Sequence, residues 1–104
     1  MIRHIVLLDL KDDHDAEELG AILDQLAALV GALPGFVTFE HGPNRDFEAK
    51  SQNYPYGFIG TFEDTDALQT YAGDARHSAL GVRLVDLCVG GADGIMVIDL
   101  EVPG

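Results

Sequence analysis

The chain opens with an alternating stretch that predicts a β-strand over residues 2–10. Apolar side chains fall on both faces of this strand, so we expect both faces of the resulting sheet to be covered. The one polar ring on the strand is that of His4. One face carries His4, Val6 and Leu8, and the other carries Ile5 and Leu7.

An amphipathic helix is predicted next, from about residue 16 to residue 32, because apolar residues recur at intervals of three and four. Asp15 and Glu18 have the spacing of a capping box at its start. Leu33-Pro34-Gly35 ends it. The apolar stripe consists of Leu19, Ile22, Leu23, Leu26, Leu29, Val30 and Leu33.

Three more strands follow from alternation, over residues 36–42, 54–62 and 95–101. A polar loop over residues 43–53 separates the first two of them. We expect Val37, Phe39 and His41 to share one face of the second strand. On the third strand, one face carries Tyr56, Phe58, Gly60 and Phe62.

Asp64 has the position of a cap for a short helix that ends near Tyr71, and a second helical piece is predicted over residues 75–89. The order is therefore β-α-β-β-α-β. This order predicts one ferredoxin-like α+β domain over residues 1–104, with a four-stranded antiparallel sheet and the helices on one of its faces. The opposite, apolar face needs cover, and a second copy of the chain would supply it.

The strongly acidic composition of the chain narrows the classes of partner that it can bind. The chain has 104 residues and a formal charge of −12, with six Lys and Arg against eighteen Asp and Glu. A nucleic-acid partner is excluded because no basic stripe is present, and an anionic membrane surface is disfavoured for the same reason. No apolar run reaches the length of a membrane span, and no signal peptide is visible, so we expect a cytoplasmic protein. The single Cys88 rules out an intrachain disulfide and is typical of an inert core thiol.

Tyr71 and His77 are the strongest candidates for chemistry, because a phenol and an imidazole lie six residues apart between two predicted helices. If His4 converges with them, the three groups can move protons without a metal or cofactor. Each residue also has an ordinary structural interpretation. Tyr71 could simply pack in the core, and His4 and His77 could simply make structural hydrogen bonds. We expect no metal site, since neither the histidines nor Asp12, Asp13 and Asp15 have a recognisable ligand spacing.

Several segments in order resemble the stress-responsive dimeric α/β-barrel family, often called Dabb domains, over nearly the whole chain. They are Met1-Ile2-Arg3-His4-Ile5-Val6, Pro34-Gly35-Phe36, Gly42-Pro43-Asn44, Phe62-Glu63-Asp64, Ala67-Leu68-Gln69-Thr70-Tyr71, His77 and Val97-Ile98-Asp99-Leu100-Glu101. The resemblance implies a homodimer whose two sheets close into a barrel, and a pocket between sheet and helices in each subunit.

The resemblance also implies roles for individual residues. Tyr71 and His77 match the acid–base pair of a plant polyketide cyclase of the family, His4 matches its opening-strand histidine, and Tyr56 replaces a pocket histidine. The family often has His-Pro before the last histidine, where this chain has Asp74-Ala75. Loss of the proline is expected to loosen the turn that aims His77. The residues expected to line the substrate pocket are Tyr56, Phe58, Phe39, Val6, Leu8, Leu23 and Leu26.

Two functions of different classes remain open. The first is a cofactor-free cyclase, lyase or isomerase that acts on a small hydrophobic or keto compound, with cofactor-free oxygenation as a related reaction. The second is a non-catalytic homodimer that binds a small ligand or serves in a stress response. Whether Tyr71 and His77 both reach an enclosed cavity distinguishes the two.

Overall fold

A computed structural model describes residues 1–104 and confirms the predicted order of elements. All neighbouring strands of the single sheet are antiparallel, in the order β2-β3-β1-β4. The fold is therefore the ferredoxin-like α+β plan. The elements are β1 (Ile2–Leu8), α1 (Ala16–Ala27), β2 (Phe36–Pro43), β3 (Tyr56–Phe62), α2 (Thr65–Gly73), α3 (Ala75–Val85), a 3₁₀ turn (Gly91–Gly94) and β4 (Ile95–Glu101).

The register of β1 divides the sheet into two faces. His4 lies opposite Gly60 on β3 and opposite Asp99 on β4, and all three positions belong to the inner face, which packs on the helices. The outer face carries an apolar row that no helix covers. Its members are Ile5, Leu7, Ile59, Met96, Ile98 and Leu100.

Packing on the inner face centres on aromatic rings. Phe36 and Phe62 stack with their ring centroids 4.5 Å apart. The expectation that Val37 shares a face with Phe39 is wrong, because the register shifts between Phe36 and Thr38. Val37 is the extra residue of this bulge, so that Phe36 and Phe39 both turn towards the helices.

Helices α1 and α3 are shorter than the periodicity predicts. Residues 28–33 form turns in which Gly31 has a φ of +83°, although Leu29 and Leu33 still enter the core. After Val85 the chain leaves the helix and pairs with the end of the first strand, where the Val89 amide donates to the Asp9 carbonyl at 2.8 Å. Cys88 lies in this bridge and is buried, in agreement with a core thiol.

Two side-chain contacts fix the helices. The Asp15 carboxylate accepts from the amides of Glu17 and Glu18 at 3.0 and 3.1 Å, which confirms Asp15 as the cap. The reciprocal half of the predicted capping box does not form, because the Glu18 carboxylate binds Arg83 instead. Arg83 on α3 donates to both carboxylate oxygens of Glu18 on α1, at 3.0 and 2.6 Å. This two-point contact links α1 to α3, with the two side chains 37 and 34% exposed. No helix combines the length and the apolar character needed to cross a membrane.

We predict unequal effects of two glycine-to-alanine substitutions. Gly35 has a φ of +76° and its added Cβ would lie 2.6 Å from the Cβ of Ala67, whereas Gly31 has a φ of +83° with open space around it. Gly31→Ala should lower the free energy of unfolding by about 1 kcal/mol through backbone strain alone. Gly35→Ala should lower it by about 3 kcal/mol, since a steric clash is added. Urea denaturation measures both, and equal losses would contradict the clash with Ala67 as the cause.

Candidate functional site

Tyr71 forms the centre of the site. It lies on the last turns of α2, and its ring packs against Phe62 and Phe36 with centroid distances of 5.0 and 5.1 Å. The residue is only 1% exposed. Its hydroxyl takes part in none of the side-chain hydrogen bonds, yet no fully buried polar atom lacks a partner. The hydroxyl therefore retains a small accessible area, although the aromatic rings around it bury the residue as a whole.

His77 approaches Tyr71 from the first turn of α3. The two ring centroids are 4.3 Å apart. The Nδ1 atom of His77 lies 3.3 Å from the carbonyl oxygen of Ala72. Because a carbonyl only accepts, this contact places the proton of a neutral imidazole on Nδ1 and leaves Nε2 as the free basic nitrogen.

His4 reaches Tyr71 from the sheet. Its ring lies edge-on to that of Tyr71, with the centroids 5.8 Å apart. The Nδ1 atom of His4 is 2.6 Å from Oδ1 of Asp99. Because a carboxylate oxygen accepts, this contact places the proton of a neutral imidazole on Nδ1 and leaves Nε2 outside it. The three side chains that the sequence singles out thus converge.

Asp99 is a residue that the sequence reasoning missed. It is the only acidic residue inside the apolar stretch of β4, and the pairing of β1 with β4 places it directly across from His4. A lone charge in an apolar strand is unusual enough to mark Asp99 as a candidate. Its partner, however, can be identified only when the strand order and the register are known. The Asp99 side chain is 45% exposed, so this side of the cluster opens to solvent beside β4.

The turn before His77 is held by Asp74, where the family often has His-Pro. Its carboxylate accepts from the amide of Arg76 at 2.9 Å and from the Arg76 guanidinium at 3.0 and 2.9 Å. The hydrogen bonds from Arg76 lower the pKa of Asp74 to about 2. The expected loosening of the turn is therefore offset, because a charged cap starts α3 and fixes the approach of His77.

Burial sets the protonation states of the pair. It raises the pKa of the Tyr71 phenol above its ordinary value, since the phenolate would lie among aromatic rings. It also lowers the pKa of His77, with a further contribution from the nearby His4. At neutral pH the site therefore offers a neutral imidazole as a base and a neutral phenol as a hydrogen-bond donor. No three His, Cys, Asp or Glu side chains are grouped so that they can hold a metal ion.

The predicted substrate-lining residues do not gather around this cluster. Tyr56 lies at the other end of the sheet, where its hydroxyl is 2.7 Å from Nδ1 of His41, and Phe39 is half-buried beside Phe58. The others fill the layer between sheet and helices as core side chains: Val6, Leu8, Leu23, Leu26 and Phe58. Their contact with a substrate stays a prediction.

Together the fold and the cluster define a ferredoxin-like α+β protein with two histidines and a tyrosine grouped at one end of its inner layer. The chain belongs to the stress responsive A/B barrel domain family, Dabb, whose model matches residues 2–102. The resemblance seen in the sequence is thereby confirmed. A search of curated proteins found no match.

Three solved structures illustrate the relationship. A dimeric ferredoxin-like protein of unknown function from Jannaschia sp. CCS1 is 46% identical, with 97% of this chain and 98% of that chain covered and a TM-score of 0.91. A hydroxynitrile lyase from Passiflora edulis is 13% identical, with coverages of 98% and 93% and a TM-score of 0.79. The cofactor-independent oxygenase SnoaB from Streptomyces nogalater is 16% identical, with coverages of 99% and 93% and a TM-score of 0.75. The last two show a shared fold alone.

The lowered pKa of His77 predicts a pH dependence of stability. Below about pH 6.5 the unfolded chain binds a proton at His77 that the folded chain resists, so the free energy of unfolding should fall as the pH falls. His77→Gln removes this contribution and should flatten the dependence. Urea denaturation at several pH values between about 7.5 and about 5.5 measures it. Ser78→Ala, the exposed neighbour, should follow the wild type, and parallel curves for wild type and His77→Gln would contradict the prediction.

Proposed function

We propose that the protein is a homodimer in which each subunit performs cofactor-free acid–base chemistry on a small keto compound. The observation that carries this proposal is the position of Tyr71 between His4 and His77, with the Nδ1 atom of each histidine already engaged. The phenol ring thus packs against two imidazole rings whose Nε2 atoms lie outside these hydrogen bonds. A base beside a hydrogen-bond donor is what transfer of a proton next to a carbonyl requires.

In the proposed reaction, Nε2 of His77 removes a proton from the carbon next to the substrate carbonyl. The Tyr71 hydroxyl donates a hydrogen bond to the oxygen on which negative charge develops. The enolate carbon then attacks a second carbonyl or is reprotonated elsewhere, and the proton on His77 returns to the product. A ring closure or an isomerisation follows, and neither consumes an external oxidant or reductant.

His4 and Asp99 have a positioning role in this proposal. Asp99 holds the His4 ring in one orientation and one tautomer, as a carboxylate does for an imidazole in many sites. His4 in turn packs edge-on against the Tyr71 ring and limits its movement. The hydroxynitrile lyase and the cofactor-independent oxygenase support the view that this fold accommodates catalysis.

The proposal that two copies associate rests on the outer face of the sheet. Met96, Ile98 and Leu100 are 39, 39 and 49% exposed there, and large apolar patches on soluble proteins mark interaction sites. The 46% identical protein from Jannaschia is described as dimeric. We expect two outer faces to pack together and to bury more than about 1,200 Å² in total.

A non-catalytic ligand-binding or stress-response dimer is the second candidate. Two observations favour it: Val6, Leu8 and Phe58 fill the layer beneath the sheet beside the cluster, and the three main grooves of the molecule are lined by neither Tyr71 nor His77. A substrate in that layer would have to displace core side chains. The acid–base proposal therefore places its substrate at the open side of the cluster, near Asp99, rather than deep in the layer.

The dimer yields a direct prediction. Leu100→Asp places an unpaired carboxylate in the outer face and should weaken association by about 100-fold or more. Val82→Asp, on the solvent face of α3 where the side chain is 68% exposed, should leave the dimer intact. Sedimentation velocity at micromolar concentrations measures both. A monomeric wild type, or equal behaviour of the two variants, would remove the outer face as the interface.

The acid–base pair is tested with 2-heptanone in D₂O, where NMR follows exchange of the protons next to the carbonyl. The wild type should accelerate this exchange, and His77→Ala and Tyr71→Phe should each reduce the acceleration by about 10²-fold. Ser78→Ala, next to His77 in α3 and exposed, should retain wild-type exchange. If the wild type exchanges these protons no faster than buffer containing free imidazole, the non-catalytic candidate is favoured instead.

A further inference from the structure

A groove opens at the end of the inner layer opposite the acid–base cluster. It lies between the first half of α1 and the adjoining ends of β2 and β3, and its volume is about 380 Å³. Small-molecule sites in proteins span roughly 300–1,000 Å³. Leu10, Leu19 and Leu23 supply its apolar walls. The groove therefore has the size and the apolar lining of a site for a small ligand.

Three polar side chains complete the lining: His14, His41 and Tyr56. The Nδ1 atom of His14 is 2.7 Å from the carbonyl oxygen of Lys11, so Nδ1 of the neutral ring donates and Nε2 accepts. The His41–Tyr56 contact uses one hydrogen between Nδ1 and the hydroxyl. Whichever group donates it, the neutral pair keeps one further donor and one further acceptor.

The charge of the groove selects among ligands. None of its nine lining residues is Asp, Glu, Lys or Arg. A cationic ligand would find no carboxylate to pair with, and an anionic ligand would be repelled by a chain with a formal charge of −12. An uncharged molecule with an apolar body and one hydroxyl group matches the walls, the donor and the acceptors.

Core side chains separate this groove from the acid–base cluster. Leu8 lies opposite Tyr56 and Ile2 lies opposite Phe62 in the register of β1 and β3, so the two places are at opposite ends of the strands. Between them Val6, Leu8 and Phe58 are buried. A molecule in the groove therefore does not touch Tyr71 or His77.

Gly20 is the α1 residue without a side chain that borders the groove. It lines the groove at mid-helix, and a Cβ added there would meet no atom within 4 Å. A larger side chain is therefore accommodated at this position, where it borders the groove and can cover part of it. Leucine also forms helix better than glycine does. Gly20 thus offers a way to cover part of the groove while keeping α1 folded.

We propose that this groove, lined by Leu10, Leu19, Leu23, His14, His41 and Tyr56, is a second ligand site that binds an uncharged, apolar molecule carrying one hydroxyl group. The site does not depend on the acid–base function, because it shares no residue with that cluster. It gives a role in binding to Tyr56, which lies away from Tyr71 and His77.

The test is a titration of the full-length, ¹⁵N-labelled protein with 4-propylphenol, followed by the backbone amide shifts. We expect saturable shifts at Gly20, His41 and Tyr56. Gly20→Leu should abolish them, whereas Gly81→Leu, which places the same side chain in open space on α3, should retain them. Shifts centred on Tyr71 and Ala72, no saturation, or unchanged binding by Gly20→Leu would overturn the proposal.

A second variant tests the polar part of the site. Tyr56→Phe removes one hydroxyl and should weaken binding of 4-propylphenol by about fivefold, the scale of one neutral hydrogen bond. Its affinity for propylbenzene, which can neither donate nor accept a hydrogen bond, should change less. An equal loss for both probes would show that only apolar packing matters and would overturn the assignment of a hydroxyl ligand. This variant also keeps the proposal testable if Gly20→Leu fails to fold.

Discussion

The register of β1 between β3 and β4 is the constraint on which both the core and the site depend. Because side chains alternate between the faces of a strand, a slip of one residue would turn His4, Val6 and Leu8 to the outer face. The observed register instead buries Val6 and Leu8 and places His4 opposite Asp99. The contact that orients His4 is therefore a direct consequence of the same pairing that builds the core.

Element types were predictable because the apolar periods of this chain are regular. The residues at which the elements end were harder to predict, because they depend on contacts between distant segments. The bridge between Leu10 and Cys88 stops α3 early, and its partners are far apart in sequence. The bulge at Val37 likewise follows from how Phe36 packs on Phe62. The spacing of apolar residues along the chain reveals neither the bridge nor the bulge.

For the site, the sequence identified the groups but not their whole arrangement. Tyr71, His77 and His4 converge as their spacing and the family resemblance suggest. Tyr56 also lies on the inner face of the sheet, and the family resemblance implied that one pocket would contain all four residues. A strand rises by about 3.3 Å per residue, so Leu8, the partner of Tyr56, lies about 13 Å along β1 from His4. Tyr56 is therefore too far along the strand to line the same pocket as His4, although both lie on the inner face of the sheet.

Aromatic packing links the stability of the inner layer to its chemistry. The rings of Phe36 and Phe62 that surround Tyr71 also exclude water from its phenol, and burial raises the pKa of Tyr71 while it lowers the pKa of His77. The two pKa values therefore move in opposite senses, and both groups stay neutral at neutral pH. A neutral base beside a neutral donor can take up a proton and stabilise an oxyanion in one step, without a metal ion. Two carboxylates hold the histidines in place: Asp99, 45% exposed, contacts His4 directly, and Asp74 caps the helix that carries His77.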